Sequence, residues 1–336
     1  MSVESVAGEV GRHPVVPGPR MPLPTSASHA AAVVGSDAEL LAVAVPYLEE
    51  GLRAGDLIGL TCRPEAAEVV AGARGERLRP VENDPRLSLL GNRAPDALST
   101  CSGYLERAST SRSGRLRILS AVDFGNDPAG WREGQRFESV FNRVIDGTTP
   151  VACICVYDRR YLPAAVLDSA AATHPLLVEG AAWTASPAFQ DPHVYVTALP
   201  LPRVPAEGAA PVLSIDDART LAGLRHDIGA VLERVVRDRE QCEDALLAAA
   251  EIAANAFRHG RPPVSARVWA DDRDLIVTIT DRGAGFADLL AGFRPAHGPD
   301  LGRGGMGLWL ARKLFDHVDL LPGPGELTVR LATRLR

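Results

Sequence analysis

The chain has 336 residues, 46% hydrophobic and 23% charged, which is enough for one large or two ordinary domains with real cores. Its formal net charge of -6 at pH 7 gives no electrostatic reason to expect nucleic acid or an anionic membrane as a direct partner, and no apolar run reaches the ~20 residues of a membrane span. Five cysteines (Cys62, Cys101, Cys153, Cys155, Cys242) are odd in number and scattered, with no His or Cys at zinc-ligand spacing around them, so a disulfide framework is excluded and reduced, mostly buried thiols of a cytoplasmic protein are expected.

Residues 1–25 are interrupted by Pro14, Pro17, Pro19, Pro22 and Pro24 and lack the apolar core of a signal peptide, so a disordered tail is expected. From 26 to 197, short apolar runs alternate with amphipathic stretches. Residues 30–34 and 57–61 read as strands, and Leu40, Leu41, Ala44, Val45 and Leu48 follow a helical period that Gly51 is placed to end. The alternation recurs as a strand over 115–122, a helix over 131–145 and a strand over 151–156, which predicts an α/β unit with a mostly parallel sheet. Pro200, Pro202, Pro205, Pro211 and Gly208 break any period across 198–213, which reads as an interdomain linker.

The order changes over 214–336. Helices over 217–237 and 240–259 precede strands 264–270 and 274–280, joined across Asp271, Asp272 and Arg273, then a glycine-rich loop, a helix over 308–318 and a last strand. Such an order predicts an α+β sandwich with helices on one sheet face. Of 36 basic residues only Lys313 is a lysine, and it sits in Leu-Ala-Arg-Lys-Leu, so no Walker A phosphate loop is present.

Three segments of this half carry candidate chemistry. Glu251 and Asn255 are four apart and share a helix face, where a carboxylate can accept a proton and an amide oxygen can ligate Mg²⁺; taken alone, such a pair is more commonly an exposed polar face. Asp281, at a strand end before Gly283 and Gly285, can accept a hydrogen bond from an exocyclic amine such as that of adenine, or can belong to a tight turn. Gly302-Arg-Gly-Gly305-Met-Gly307 leads into a helix whose N–H groups and dipole suit a phosphate, or is a flexible loop. Between them a loop over 286–302 reads as a lid.

In this order and spacing, Glu251/Asn255, Asp281-x-Gly283-x-Gly285 and Gly305-x-Gly307 resemble the N, G1 and G2 boxes of GHKL (Bergerat-fold, HATPase) ATPases, and the short form over 214–336 is most similar to anti-sigma-factor serine kinases. The resemblance implies ATP and Mg²⁺ as cofactors. Asn255 would hold the metal and Glu251 would be the general base toward a partner's serine. Asp281 would bind adenine, and Gly283, Gly285, Gly305 and Gly307 would shape the pocket. Arg258 and His259 either reach the phosphates or are cations that suit a helix C-terminus. Leu224-Arg225-His226-Asp227 superficially matches a histidine-kinase phosphoacceptor box, but His226 falls inside the first helix of the ATPase fold itself and reads as an ordinary helix residue.

In the first half, His29, Thr173-His174-Pro175 and the strand Cys153-Ile-Cys155-Val-Tyr157-Asp158 stand out, with Asp158 at the carboxyl edge where such sheets take ligands. The plain alternative is that Cys153 and Cys155 pack the core and His174 is a structural cap. Residues 26–195 resemble the MEDS sensory domain, a RecA-like relative without a working phosphate loop. The resemblance is carried by His29, Pro46-Tyr-Leu-Glu-Glu-Gly51, Glu138 with Asn142, Tyr157-Asp158 and Thr173-His-Pro175. It implies a sensory site at His29, Asp158 and His174 for a small molecule or protein input. Together the two resemblances imply an RsbA- or RsbW-like bacterial stress-response regulator of transcription. Its partners would be a sigma factor and a STAS-type anti-sigma-factor antagonist, and a homodimer is compatible. A sensor histidine kinase and a catalytically silent, nucleotide-gated binding module are the alternatives.

Overall fold

Period-two alternation builds the first sheet. In β1 (Ser28–Val34), Ala30, Ala32 and Val34 face one core and Ala31 faces the other, so the strand is buried on both sides, as parallel strands are. The computed structural model describes residues 27–73, 81, 83–145, 149–202, 204–283, 288–295 and 305–336, and the expected tail at 1–25 lies outside them. After β1 come α1 (Asp37–Ala54), β2 (Leu57–Thr61), α2 (Pro64–Gly72), α3 (Ala94–Ala108), β3 (Leu116–Ala121), α4 (Pro128–Val144) and β4 (Val151–Asp158). Short elements follow: α5 (Ala164–Leu167), α6 (Ser169–Thr173), β5 (Leu176–Glu179), β6 (Ala182–Ala185) and α7 (Pro192–Ala198). The six strands run β2-β3-β4-β1-β5-β6, parallel except for the β5–β6 pair.

The second sheet is antiparallel throughout. Its elements are β7 (Leu213–Ile215), α8 (Leu221–Val235), α9 (Arg239–His259), β8 (Ser265–Ala270), β9 (Asp274–Asp281), α10 (Gly305–Leu314), β10 (His317–Gly323) and β11 (Glu326–Arg334), in the order β10-β11-β9-β8-β7. Leu275, Val277 and Ile279 pack under Leu224, Ile228 and Leu232 of α8, Ala249 and Ile252 of α9 and Ala311 of α10. The opposite face meets the connecting segment: Ala206, in a short 3-10 turn, packs on Ile276 and Ala332, and Glu207 pairs with Arg330 at 2.7 Å.

Several expectations shift. The first strand starts at Ser28, so His29 lies inside it rather than before it. Helix α1 ends at Gly55, whose φ of 84° is the left-handed cap; Gly51 is internal, where a Cβ would collide with the Arg117 side chain and Ile58. The last helix stops at Leu314, and Val318 belongs to a strand. The expected single closing strand is a hairpin, β10–β11, turned by Pro324 and Gly325, with Pro322 tolerated because β10 is an edge. Among the described residues no helix is long and apolar enough to cross a membrane.

Candidate functional site

Helix α9 starts at Asp238, whose carboxylate accepts from the Gln241 amide at 2.7 Å. Its alanine-rich stripe (Ala245, Ala248, Ala249, Ala253, Ala256) enters the core and leaves Glu251 and Asn255 half-buried beside it. The first turn of α10 sits against both: a Cβ on Gly307 would lie 2.9 Å from Asn255 Nδ2 and 3.3 Å from Glu251 Cβ, so only glycine lets the helix start come this close. Asp281 closes β9, 8% exposed, and its Oδ1 accepts from the Gly283 amide at 2.7 Å. Arg282 N donates to Arg261 O at 2.9 Å, tying this strand end to the segment after α9. Gly260, the last cap of α9, lies so near the Asp281 carboxylate that any side chain would strike it. Gly260 was not among the expected site residues, and its signal is this close approach.

The structure thus brings Glu251, Asn255 and Gly307 together, and Asp281, Gly283 and Gly260 together, around the C-terminal part of α9. Gly305 opens α10, while Gly285 lies outside the described residues. Arg258 and His259 are exposed in the last turn of α9, and His226 is exposed on α8.

The expected lid over 286–302 is only partly described, and the described part is not a free flap. Leu290 and Phe293 belong to the core of the first half, with Phe293 only 2% exposed. Arg312 of α10 stacks its guanidinium over the Phe293 ring at 4.1 Å and donates from Nε to the Ala291 carbonyl at 2.9 Å, and Arg143 pairs with Asp288 at 3.0 Å. Apolar side chains spaced along a loop found a core on the other sheet's layer.

The same layer carries a charge network. Asp319 of β10 faces Arg132 and Arg136 of α4 and Arg330 of β11. Arg136 also donates to the Val318 carbonyl at 2.6 Å, as does Arg312 at 2.9 Å. Burial alone would raise the Asp319 carboxyl, but Arg136, Arg132 and Arg330 hold it down at about 2. Burial pushes Arg312 down to about 9, helped by Arg136. Lys313 with Asp96 at 2.8 Å and Arg93 with Asp316 at 2.9 Å extend the contact.

The first half holds a second polar cluster, entirely buried. His29 of β1, Glu138 of α4, Cys155 of β4 and His174 after α6 place one donor atom each within 4.8 Å of one another. His29 Nε2 is 3.1 Å and His174 Nε2 3.4 Å from Glu138 Oε2, and Cys155 Sγ is 3.4 Å from both Glu138 Oε2 and His29 Nε2. His174 and Cys155 thus share one buried cluster with His29 and Glu138. Linear spacing around the cysteines showed no metal motif because the fold, not the local sequence, assembles this set. Asp158 does not join it: at the exit of β4 it pairs with Arg160 at 2.7 Å, beside a separate cavity of about 130 Å³ lined by Asp37, Arg63 and Tyr161.

A mostly parallel α/β unit thus packs against an antiparallel sheet covered by helices, where a helix-borne Glu and Asn lie under a glycine helix start. Residues 215–333 match the family model of the histidine kinase-like ATPase domain, and residues 28–175 match that of MEDS, the methanogen/methylotroph DcmR sensory domain. The two matches follow one another along the chain. Among solved structures, a crystal structure of the RsbU and RsbW domains of a Mycobacterium tuberculosis protein is similar at 20% identity and a TM-score of 0.28, over 37% of this chain and 32% of that chain. The match therefore spans about a third of that relative's length. No curated protein matches the chain.

Proposed function

We propose that residues 214–336 form a Bergerat-type fold that binds Mg-ATP, and that the chain is a bacterial anti-sigma regulator of the GHKL class. In this reading it sequesters a sigma factor, or phosphorylates a serine on a STAS-type antagonist, under the control of a RecA-like sensory unit at 26–197 joined by the segment 198–213. The observation that carries the reading is the seating of Gly307 on Glu251 and Asn255, beside the Asp281 strand end, within the histidine kinase-like ATPase match.

The donor set fits the proposed cofactors. Asn255 offers a neutral hard oxygen of the kind Mg²⁺ takes, and when bound that ion would neutralise phosphate charge. Asp281 would accept from the adenine amine, the glycines of the two boxes would leave room for the nucleotide, and the first amides of α10 would supply N–H donors to the phosphates. Glu251 takes the proton of the partner's serine as its oxygen bonds to the γ-phosphorus and ADP leaves. Arg258 and His259, exposed in the last turn of α9, would be the candidate phosphate contacts. The sensory unit reaches this site through the 288–295 segment, whose Leu290 and Phe293 sit in its core. An input shifts the balance only insofar as it binds the clamped and released states differently.

Calorimetry of the full chain with Mg-ATP tests the reading. Asn255→Ala is expected to abolish Mg-dependent binding, and Glu251→Ala to spare binding while losing transfer. Normal transfer by Asn255→Ala would overturn the metal assignment. Partner inhibition without any transfer selects the silent binding module, and label on the chain that His226→Ala removes selects a histidine kinase.

A further inference from the structure

With Glu138 ionised and both imidazoles neutral, the buried cluster in the sensory half has fewer protons than inward-facing acceptor atoms. Asn142 Nδ2 donates to the Thr173 carbonyl at 2.7 Å, which turns Asn142 Oδ1 toward His29 Nδ1 at 3.0 Å; Nδ1 therefore carries the proton and Nε2 a lone pair. His174 Nδ1 lies 2.9 Å from the Ala170 carbonyl, which only accepts, so its Nε2 is also a lone pair. Thr173 Oγ1 sends its single hydrogen to the Ser169 carbonyl at 2.9 Å and does not alter that assignment. Both Nε2 atoms point at the Glu138 carboxylate, and His174 Nε2, in a residue 0% exposed, has no hydrogen-bond partner. The Cys155 thiol brings one proton for three such atoms. A proton on His29 Nε2 would satisfy one contact and leave His174 Nε2 facing the same carboxylate.

We propose that His29, Glu138, Cys155 and His174 bind one divalent transition-metal ion, with Zn²⁺ the ion best suited to the set. Two imidazole nitrogens, a carboxylate oxygen and a thiolate are the donors zinc takes in closed tetrahedral sites. Donors about 2.0–2.3 Å from such an ion stand about 3.3–3.8 Å from one another. Three of the separations, at 3.4 Å, fall within that spacing, the His29–Glu138 contact at 3.1 Å is a little shorter, and all four donor atoms lie within 4.8 Å of one another. The surrounding shell is the kind that orients metal-bound histidines: Asn142 on His29 and the Ala170 carbonyl on His174, each fixing the nitrogen that faces inward. On binding, the Cys155 S–H bond gives its proton to solvent and the sulfur bonds to the metal, with no change of oxidation state. A cavity of about 20 Å³ beside Glu138 and Cys155, walled by Phe137, Phe141 and Leu98, has room for about one water. Glu138 rides on α4, the helix whose Arg132 and Arg136 grip Asp319, so the centre is built into the element that contacts the ATPase half.

The test uses the untagged full chain expressed in zinc- or cobalt-supplemented medium. Elemental analysis after dialysis against chelator is expected to give about one metal per chain. The cobalt form is expected to show a thiolate charge-transfer band and tetrahedral ligand-field bands, with the charge-transfer band lost in Cys155→Ser. Asn142→Ala, which keeps all four ligands, is expected to weaken binding about 10- to 100-fold. X-ray absorption at the metal edge of the wild-type chain reads the ligand set with no substitution involved, and two imidazoles, one oxygen and one sulfur are expected. A wild-type chain that retains no metal, a sulfur-free ligand set, or metal retained at full stoichiometry by a folded His29→Gln/His174→Gln double variant would overturn the proposal.

Discussion

Asp319→Asn removes the central charge of the contact between the two halves while keeping its shape. Asp319 is 2% exposed and faces three guanidinium groups, those of Arg132, Arg136 and Arg330. Its carboxyl, held at about 2 against an ordinary 3.8, is favoured in the ionised form by ~2 kcal/mol, at about 1.4 kcal/mol per unit. Breaking a buried ion pair from one side costs about 3–5 kcal/mol, because the partner cations are left facing a neutral group. The expected loss is therefore ~2–5 kcal/mol. With a urea slope of about 3 kcal/mol/M, the midpoint falls by ~1 M. Trp131 and Trp183 report on the first half, and Trp269 and Trp309 on the second, by fluorescence. The folded value is depressed, so the stabilisation is fully present above the ordinary value near 4 and is lost as pH falls toward 2. The gap between wild type and Asp319→Asn should accordingly narrow over that window. A variant within ~0.5 kcal/mol of wild type at pH 7, or a gap that does not change with pH, would refute the reasoning.

Phe293→Ala empties a ring position buried in the first half's core and removes the Arg312 stack, a change of ~3–5 kcal/mol for core aromatics. Limited proteolysis should then cut within 288–295 and nucleotide exchange should quicken, whereas unchanged cleavage would remove the clamp from the account. Gly307→Val drives a branched side chain into Asn255 and Glu251 and should weaken Mg-ATP by at least about tenfold in a chain that stays folded by circular dichroism. Gly260→Ala should do the same through the Asp281 carboxylate. His226→Ala, exposed on α8, should leave both binding and phosphate transfer unchanged.

The helix face and strand end that carry the proposed nucleotide site were legible because their signals are local. Glu251 and Asn255 share one helix face by spacing alone, and Asp281 announces a strand end by its glycines. The buried cluster was not, since Glu138 is 109 residues from His29 and Cys155 is 126 residues from it, and only strand pairing and the packing of α4 join them. A faint signal existed: Glu138 and Asn142 are polar residues on a helix face otherwise filled by Phe137 and Phe141, and His29 pairs in register with Cys153 across β1 and β4. Leu290 and Phe293 read as lid residues because a loop's apolar side chains do not say which core they enter. Val318 continued a helical period, yet Asp319 and the Pro-Gly turn that follows belong to an edge hairpin whose partners lie in β11 and α4. Gly51 looked like a helix stop and proved to be space for Arg117, whose ion pair with Asp56 at 2.7 Å is itself buried.

Incubation of the purified full chain with γ-labelled Mg-ATP, with and without extract of its source organism, followed by locating the label and testing its acid stability, addresses the proposed activity most directly. The account predicts acid-stable label on a small partner protein, lost with Glu251→Ala and with Asn255→Ala. Acid-labile label on the chain itself, or acid-stable label undiminished in Asn255→Ala, would contradict it.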